Sequence, residues 1–100
     1  MVMRRYSHKI DANQTEIVSG LRELGYSVHI TSRLGSGFPD IIVGNPRDER
    51  NYLFEIKDKP NDVLTQDEQL FFDTWNGQVN VIRTLKDAIV LMDGYDVEKN

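Results

Sequence analysis

Two short segments of the chain carry residues that could bind a metal ion and act on a phosphate ester. Asp40 follows Pro39 at the start of an apolar stretch, and Glu55 and Lys57 flank Ile56 in the next apolar stretch. Side chains of an extended strand alternate between its two faces, so Glu55 and Lys57 share one face. Pairing of these strands would bring the carboxylate of Asp40 close to that of Glu55.

The three polar residues define one kind of chemistry. Carboxylate oxygens suit Mg²⁺ or Mn²⁺, which keep several water molecules that a substrate and a nucleophile can use. Lys57 could orient or help deprotonate an attacking water, or stabilise phosphate charge in the transition state. Taken alone, a Pro-Asp pair is commonly a turn, and Glu-x-Lys is commonly a solvated strand face. Their joint arrangement on consecutive strands favours a catalytic site.

The apolar periodicity indicates the elements that position these residues. It predicts a helix over 11–24, strands over 26–31, 38–44 and 52–57, a helix from Thr65, a strand over 79–82 and a helix over 85–92. The order α-β-β-β-α-β-α predicts an α/β fold with a mixed β-sheet flanked by helices. Thr65 and Glu68 have the spacing of a capping box. Phe71, Phe72 and Trp75 are predicted to be core residues rather than a base-stacking platform.

Composition limits the class of protein. The 100 residues contain 39% hydrophobic and 28% charged residues and no cysteine, which predicts one domain over 1–100 in a reducing compartment, taken as the cytoplasm. No apolar run approaches the roughly 18 residues that a membrane span needs. A net charge of −4 is unfavourable for DNA, although bound metal would neutralise the site carboxylates. The segment 93–100 is expected to fray, and a basic start (Arg4, Arg5 and Lys9) to be an exposed terminus or a phosphate contact.

The segment Gly37-Phe38-Pro39-Asp40-Ile41-Ile42-Val43-Gly44, followed by Glu55-Ile56-Lys57, strongly resembles the PD-(D/E)XK nuclease superfamily. Within it, the chain is most similar to small VRR-NUC domains, which are related to stand-alone Holliday junction resolvases; Leu64-Thr65 with a nearby glutamine adds to the likeness. The resemblance covers about residues 11–90. It implies a restriction-endonuclease-like core and Mg²⁺-dependent cleavage of DNA.

The resemblance also implies further site residues. Asp40, Glu55 and the carbonyl of Ile56 would bind the metal, assisted by an acidic residue of the first helix, for which Glu16 is the best candidate. Glu16 also fits a capping box with Asn13, which is a purely structural role. The family's glutamine after the Glu-x-Lys strand corresponds to Gln69 or Gln66, with Gln69 preferred.

The leading expectation is therefore an endonuclease that hydrolyses DNA, acts as a homodimer and could prefer branched DNA such as a Holliday junction. The alternative is a catalytically inactive nucleic-acid-binding or assembly module with the same fold. A third possibility is a protein-interaction domain, which only the acidic net charge favours. Divalent-metal binding distinguishes the first reading from the second.

Overall fold

The computed structural model describes residues 12–94 and gives the order α-β-β-β-α-β-α that the periodicity predicts. The elements are α1 (Ala12–Glu23), β1 (Ser27–Ile30), β2 (Ile41–Gly44), β3 (Asn51–Ile56), α2 (Gln66–Thr74), β4 (Asn80–Ile82) and α3 (Leu85–Asp93). A short 3-10 helix, Ser32–Leu34, lies in the predicted loop after β1. Within 12–94, no helix is long and apolar enough to span a membrane. The basic residues Arg4, Arg5 and Lys9 and most of the predicted tail lie outside the described residues.

The four strands form one mixed sheet in the order β1-β2-β3-β4. The first three strands are antiparallel neighbours, and β4 pairs in parallel with β3. Ile41 is opposite Phe54 in the β2–β3 register, so Asp40, one residue earlier, lies opposite Glu55. The sheet therefore places the two predicted carboxylates side by side.

One face of the sheet forms the hydrophobic core with α1 and α3. Ile17 and Leu21 of α1 and Ile89 of α3 are almost completely buried and pack in one cluster with Ile41 and Phe54 of the sheet. These α1 residues recur at helical spacing, which places them on one face of the helix. The opposite face of the sheet carries Glu55, because its side chain alternates with those of its neighbours.

The loop before β2 fits closely against the start of α2. Gly37 has φ +77°, and a Cβ there would lie 2.2 Å from the carbonyl oxygen of Asp67, so only glycine fits. The predicted capping box of Thr65 and Glu68 is present at the start of the helix.

None of the nine residues of α2 is fully buried, and Trp75 directly after it is 44% exposed. The prediction that Trp75 is a core residue is therefore wrong.

Asp93 ends α3 and joins it to the far end of the sheet. Its carboxylate accepts hydrogen bonds from Asn45 at 2.8 Å and Arg47 at 2.9 Å, and from the hydroxyl of Tyr26. The Asp93 side chain is only 8% exposed. Asp93 is thus an anchor at the end of α3, and the rest of the predicted tail over 93–100 lies outside the described residues after Gly94.

Replacing Asp93 with asparagine should lower the free energy of unfolding at pH 7 by about 1.5–3 kcal/mol, the range for hydrogen bonds to charged groups. Burial raises the pKa of Asp93, but its donors, Arg47 first among them, outweigh burial and hold the pKa below its ordinary value. The ionised carboxylate therefore contributes stability above the ordinary pKa of about 3.9, and this contribution is lost as the pH falls through the lowered folded-state pKa. Urea unfolding of both proteins between pH 7 and pH 2.5 measures the difference.

The matched control is Asp73→Asn, which changes an exposed aspartate of α2. It should shift the free energy of unfolding by no more than about 0.5 kcal/mol. Equal stability of wild type and Asp93→Asn at pH 7 would show that this network does not anchor α3.

Candidate active site

Asp40 is positioned by main-chain hydrogen bonds on both sides. Its amide donates to the carbonyl of Phe54 at 3.0 Å, and its carbonyl accepts from the amide of Thr31 at 2.7 Å. The hydroxyl of Thr31 also donates to the carbonyl of Pro39 at 2.7 Å. The carboxylate accepts a hydrogen bond from the amide of Ile56 at 2.8 Å through Oδ2. Asp40 is therefore oriented before any ligand binds.

Glu55 lies beside Asp40 and is the most buried charged group of the described chain, with 2% of the residue exposed. Its Oε1 has no hydrogen-bond partner among residues 12–94, and its Oε2 lies 3.6 Å from Nζ of Lys57. An unpaired carboxylate oxygen in the interior is costly, because burial removes its hydration without replacing it. Glu55 therefore keeps one carboxylate oxygen without a partner among residues 12–94, beside Asp40.

Lys57 follows the last residue of β3, and its ammonium group is shared between two carboxylates. Nζ lies 2.8 Å from Oε1 of Glu68 and farther from Glu55. The amide of Lys57 donates to the carbonyl of Ile82 at 3.0 Å, which continues the pairing with β4. The Glu68 bond was not expected, because the sequence assigned Glu68 only to the capping box. Glu68 therefore stabilises the start of α2 and positions Lys57 at the same time.

Burial and neighbouring like charges both disfavour the ionised forms of Asp40 and Glu55. Burial raises the pKa of Asp40, and burial together with the charge of Asp40 raises the pKa of Glu55 above its ordinary range. Burial alone would lower the pKa of Lys57, but the neighbouring carboxylates, Glu68 first among them, raise it. Lys57 is therefore an ammonium ion at neutral pH. This single positive charge is not enough to balance the neighbouring carboxylates.

A divalent cation fits this deficit. The unpaired Oε1 of Glu55 is a vacant hard-oxygen ligand, and Asp40 supplies a second carboxylate beside it. Within the described residues, no cluster of three or more acidic, histidine or cysteine side chains is suited to a metal. Two carboxylates and a main-chain carbonyl such as that of Ile56 match Mg²⁺, which commonly binds one or two protein carboxylates and keeps several waters.

The structure does not bring Glu16 to these residues. Its side chain is exposed on α1, and it forms no hydrogen bond or ion pair with any residue of 12–94. The capping-box reading does not apply either, because α1 already includes Asn13, whose side-chain amide donates to the carbonyl of Lys57 at 3.2 Å. The inward polar residue of α1 is Gln14, which is 7% exposed with Nε2 unpaired among the described residues.

Glu16→Gln should therefore leave Mg²⁺-dependent cleavage within about twofold of wild type and stability within about 0.5 kcal/mol. Gln14→Ala removes a buried side chain and should lower the free energy of unfolding by about 0.5–3 kcal/mol. Melting temperature and cleavage are measured on the same preparations. A loss of activity of tenfold or more in Glu16→Gln at unchanged stability, about the range for a metal's supporting group, would instead assign Glu16 to the metal.

Neither predicted glutamine contacts the site carboxylates. Gln69 is exposed, and its side-chain amide donates to Asp73 at 2.9 Å within α2. Gln66 is exposed in the first turn of the same helix. The α2 residue that contacts the site is Glu68, one position before Gln69. A helical residue changes direction by about 100° per position, so the choice between neighbours depends on how the helix is rotated against the sheet.

Two contributors were missed from the sequence for different reasons. Thr31 carries no motif, and its role depends on a loop that returns it to Pro39. The sequence predicts Glu68 as a capping residue, and this local role gives no indication of its second hydrogen bond, from Lys57. A glutamate in the first turn of a helix that follows a Glu-x-Lys strand is the signal that could have indicated it.

Comparison with known proteins agrees with this arrangement. A solved structure described as a VRR-NUC domain superposes with a TM-score of 0.60 and 26% sequence identity, covering 80% of this chain and 91% of that one. No family model and no curated protein sequence matches the chain. The mixed sheet and the order of its elements agree with this structural match. The chain thus has the VRR-NUC nuclease fold, and the resemblance to this family that its sequence predicts is confirmed.

Proposed function

We propose that this chain is a metal-dependent endonuclease that hydrolyses phosphodiester bonds of DNA. The observation that carries the proposal is the pair of adjacent carboxylates, Asp40 and Glu55. Oε1 of Glu55 has no partner among the described residues, and its Oε2 lies 3.6 Å from Nζ of Lys57. Such a site attracts a divalent cation and, with it, an anionic substrate. The nuclease fold supports the same class of reaction.

Asp40, Glu55 and the carbonyl of Ile56 would bind Mg²⁺ or Mn²⁺. When bound, the ion would lower the pKa of a water molecule and neutralise charge on the phosphate. Asp40 is suited to this role because its main chain and one carboxylate oxygen are already held by hydrogen bonds. A ligand that is oriented in advance loses little entropy on binding.

In hydrolysis, the oxygen of water forms a bond to phosphorus and gives up a proton to the solvent, while the ester P–O bond breaks and the departing oxygen takes up a proton from the solvent. Lys57 would act as a fixed cation that stabilises the additional negative charge of the transition state. Its raised pKa favours this role over that of a general base, which would require the neutral amine. Glu68 would keep Nζ within the site.

The proposed working unit is a homodimer, because one site cuts one strand and a single small domain has limited surface for a duplex or junction. Branched DNA, including four-way junctions, is the proposed substrate class. The acidic net charge of −4 favours the alternative, an inactive binding or assembly module, only if no metal binds. The decisive property is therefore Mg²⁺ binding by Asp40 and Glu55.

The test combines metal binding with cleavage. Mg²⁺ should raise the melting temperature, because it binds the native state only, and should permit cutting of linear, flapped or four-way DNA. Asp40→Asn should abolish both effects while retaining the fold, since an amide oxygen can still accept from the Ile56 amide. Asp58→Asn, at an exposed aspartate just after β3, is the matched control and should retain both. A melting shift that Asp40→Asn leaves intact would contradict the proposed site.

A further inference from the structure

Three aromatic residues form a cluster at the border of the candidate site: Phe38, Phe71 and Trp75. The rings of Phe71 and Trp75 stack with centroids 4.8 Å apart and planes at 19°. Phe38 meets Phe71 nearly at right angles, at 5.3 Å, and Trp75 at 6.5 Å. The cluster is therefore an ordered surface of rings rather than scattered apolar side chains.

This aromatic cluster is continuous with the site at two points. Phe38 is two residues before Asp40, and hydrogen bonds from Thr31 to the carbonyls of Pro39 and Asp40 fix this part of the chain. On the other side, α2 carries both Phe71 and Glu68, whose carboxylate binds Lys57 at 2.8 Å. A nucleotide whose phosphate lies at Asp40 would therefore have its neighbouring base within reach of the cluster.

Trp75 is the accessible member of the cluster. It is 44% exposed, whereas Phe38 and Phe71 are partly buried. Phe71 covers one face of the indole, and Gly77 lies close to the edge that carries Nε1, where an added Cβ would be 3.1 Å away. A large aromatic surface thus remains open to a flat ligand.

The charges around the cluster select the kind of ligand. The sequence of α2 contains Asp67, Glu68 and Asp73 and no basic residue. A phosphate backbone lying along α2 would be repelled by these carboxylates, whereas the uncharged face of a base would not. A second copy of the chain would place the same carboxylates against each other if α2 packed on α2. An unpaired base, directed away from its own backbone, is the occupant that fits.

We propose that Trp75 stacks an unpaired nucleobase next to the phosphodiester that the site cleaves. Every base has a π-face, so this contact selects for an unpaired nucleotide and not for sequence. The inference rests on the proposed nuclease function and narrows its substrate to DNA with a single-stranded nucleotide at the cut, such as a flap or a branch point.

Trp75 is the only tryptophan of the 100 residues, so tryptophan fluorescence, excited selectively over that of tyrosine, reports on this position alone. The experiment uses the protein carrying Lys57→Ala in the presence of Mg²⁺, because this variant should retain the metal and cut DNA at least about 100-fold more slowly. A 12-nucleotide single strand should quench the fluorescence in a saturable manner. The same strand with abasic sites throughout keeps its phosphates and should quench at least about fivefold less.

Variants then connect stacking with cleavage. In the otherwise wild-type protein, Trp75→Ala should raise KM for a flapped substrate by about tenfold, and Trp75→Phe, which retains a ring, should recover most of this loss. Leu70→Ala changes another exposed apolar residue of the same region, 60% exposed, and should leave KM unchanged. KM for fully paired linear DNA should change much less in Trp75→Ala.

Equal quenching by the normal and abasic strands would overturn the stacking proposal, because phosphates alone would then account for it. Fluorescence that changes with protein concentration but not with DNA would overturn it in favour of a contact between copies. If the protein cuts flapped DNA but the fluorescence of Trp75 does not change when DNA is added, stacking would be overturned and the nuclease function would stand. Absence of both cutting and DNA binding would overturn the two proposals together.

Discussion

Replacing Lys57 with alanine should lower the turnover of DNA cleavage by at least about 100-fold, the usual loss when one charge-stabilising group is removed from a transition state. The Mg²⁺-induced melting shift should persist, because the metal is assigned to Asp40 and Glu55. KM should change far less than kcat, since the role proposed for the ammonium is to stabilise charge that develops during the reaction. Steady-state cleavage of a flapped substrate and thermal melting measure these quantities.

Lys59→Ala is the matched control for this change. Lys59 is exposed two positions later, and only its main chain has described contacts, with Asp62 and Arg83. It should cut DNA at nearly the wild-type rate. A Lys57→Ala protein that is folded and cuts normally would show that this lysine has no catalytic role.

Glu55→Gln should have opposite effects on stability and activity. In the absence of metal at pH 7, it should raise the free energy of unfolding by at least about 1 kcal/mol, the value of one pKa unit. For a domain of this size that is a rise in melting temperature of about 4–8 °C. Burial and the adjacent carboxylates disfavour the charged form of Glu55, and a neutral amide of the same shape avoids that cost. Cleavage should be abolished, because a proposed metal ligand is lost.

The sign of the pH dependence follows from the raised pKa of Glu55. Below the ordinary glutamate pKa, the carboxyl group is protonated in both folded and unfolded chains, and the variant should have no advantage. As the pH rises toward the higher folded-state pKa, the wild type loses stability and the advantage of Glu55→Gln grows. Mg²⁺ should reverse this order by stabilising the wild type alone.

Melting curves at pH 4 and pH 7, with and without Mg²⁺, test this expectation. Glu16→Gln provides the control, because it removes the charge of an exposed glutamate and should show neither the gain nor the Mg²⁺ reversal. A Glu55→Gln protein less stable than wild type at pH 7 without metal would show that the carboxylate is not strained in the free protein.

Local patterns determined the order of elements and the central pair of the site. Alternation along β3 places Glu55 and Lys57 on one face whatever surrounds the strand, because the period of a strand is two. The capping box of Thr65 and Glu68 depends on residues three apart in one turn, and the structure contains it. The position of Asp40 opposite Glu55 required consecutive strands to pair, which is the commonest arrangement, and also the register in which Ile41 lies opposite Phe54.

Only the tertiary structure decided which helical residues contact the site. The sequence offers Glu16 and Gln69 by their chemical type, but α1 directs Gln14 inward, and α2 directs Glu68 toward Lys57. One position along a helix changes the direction of a side chain by about 100°, and the rotation of a helix is set by packing with residues distant in the chain. Trp75 shows the same limit, since helical spacing indicated a buried face but nothing in the described chain covers it fully. Periodicity therefore determines which residues share a face, whereas contacts between distant segments determine what that face meets.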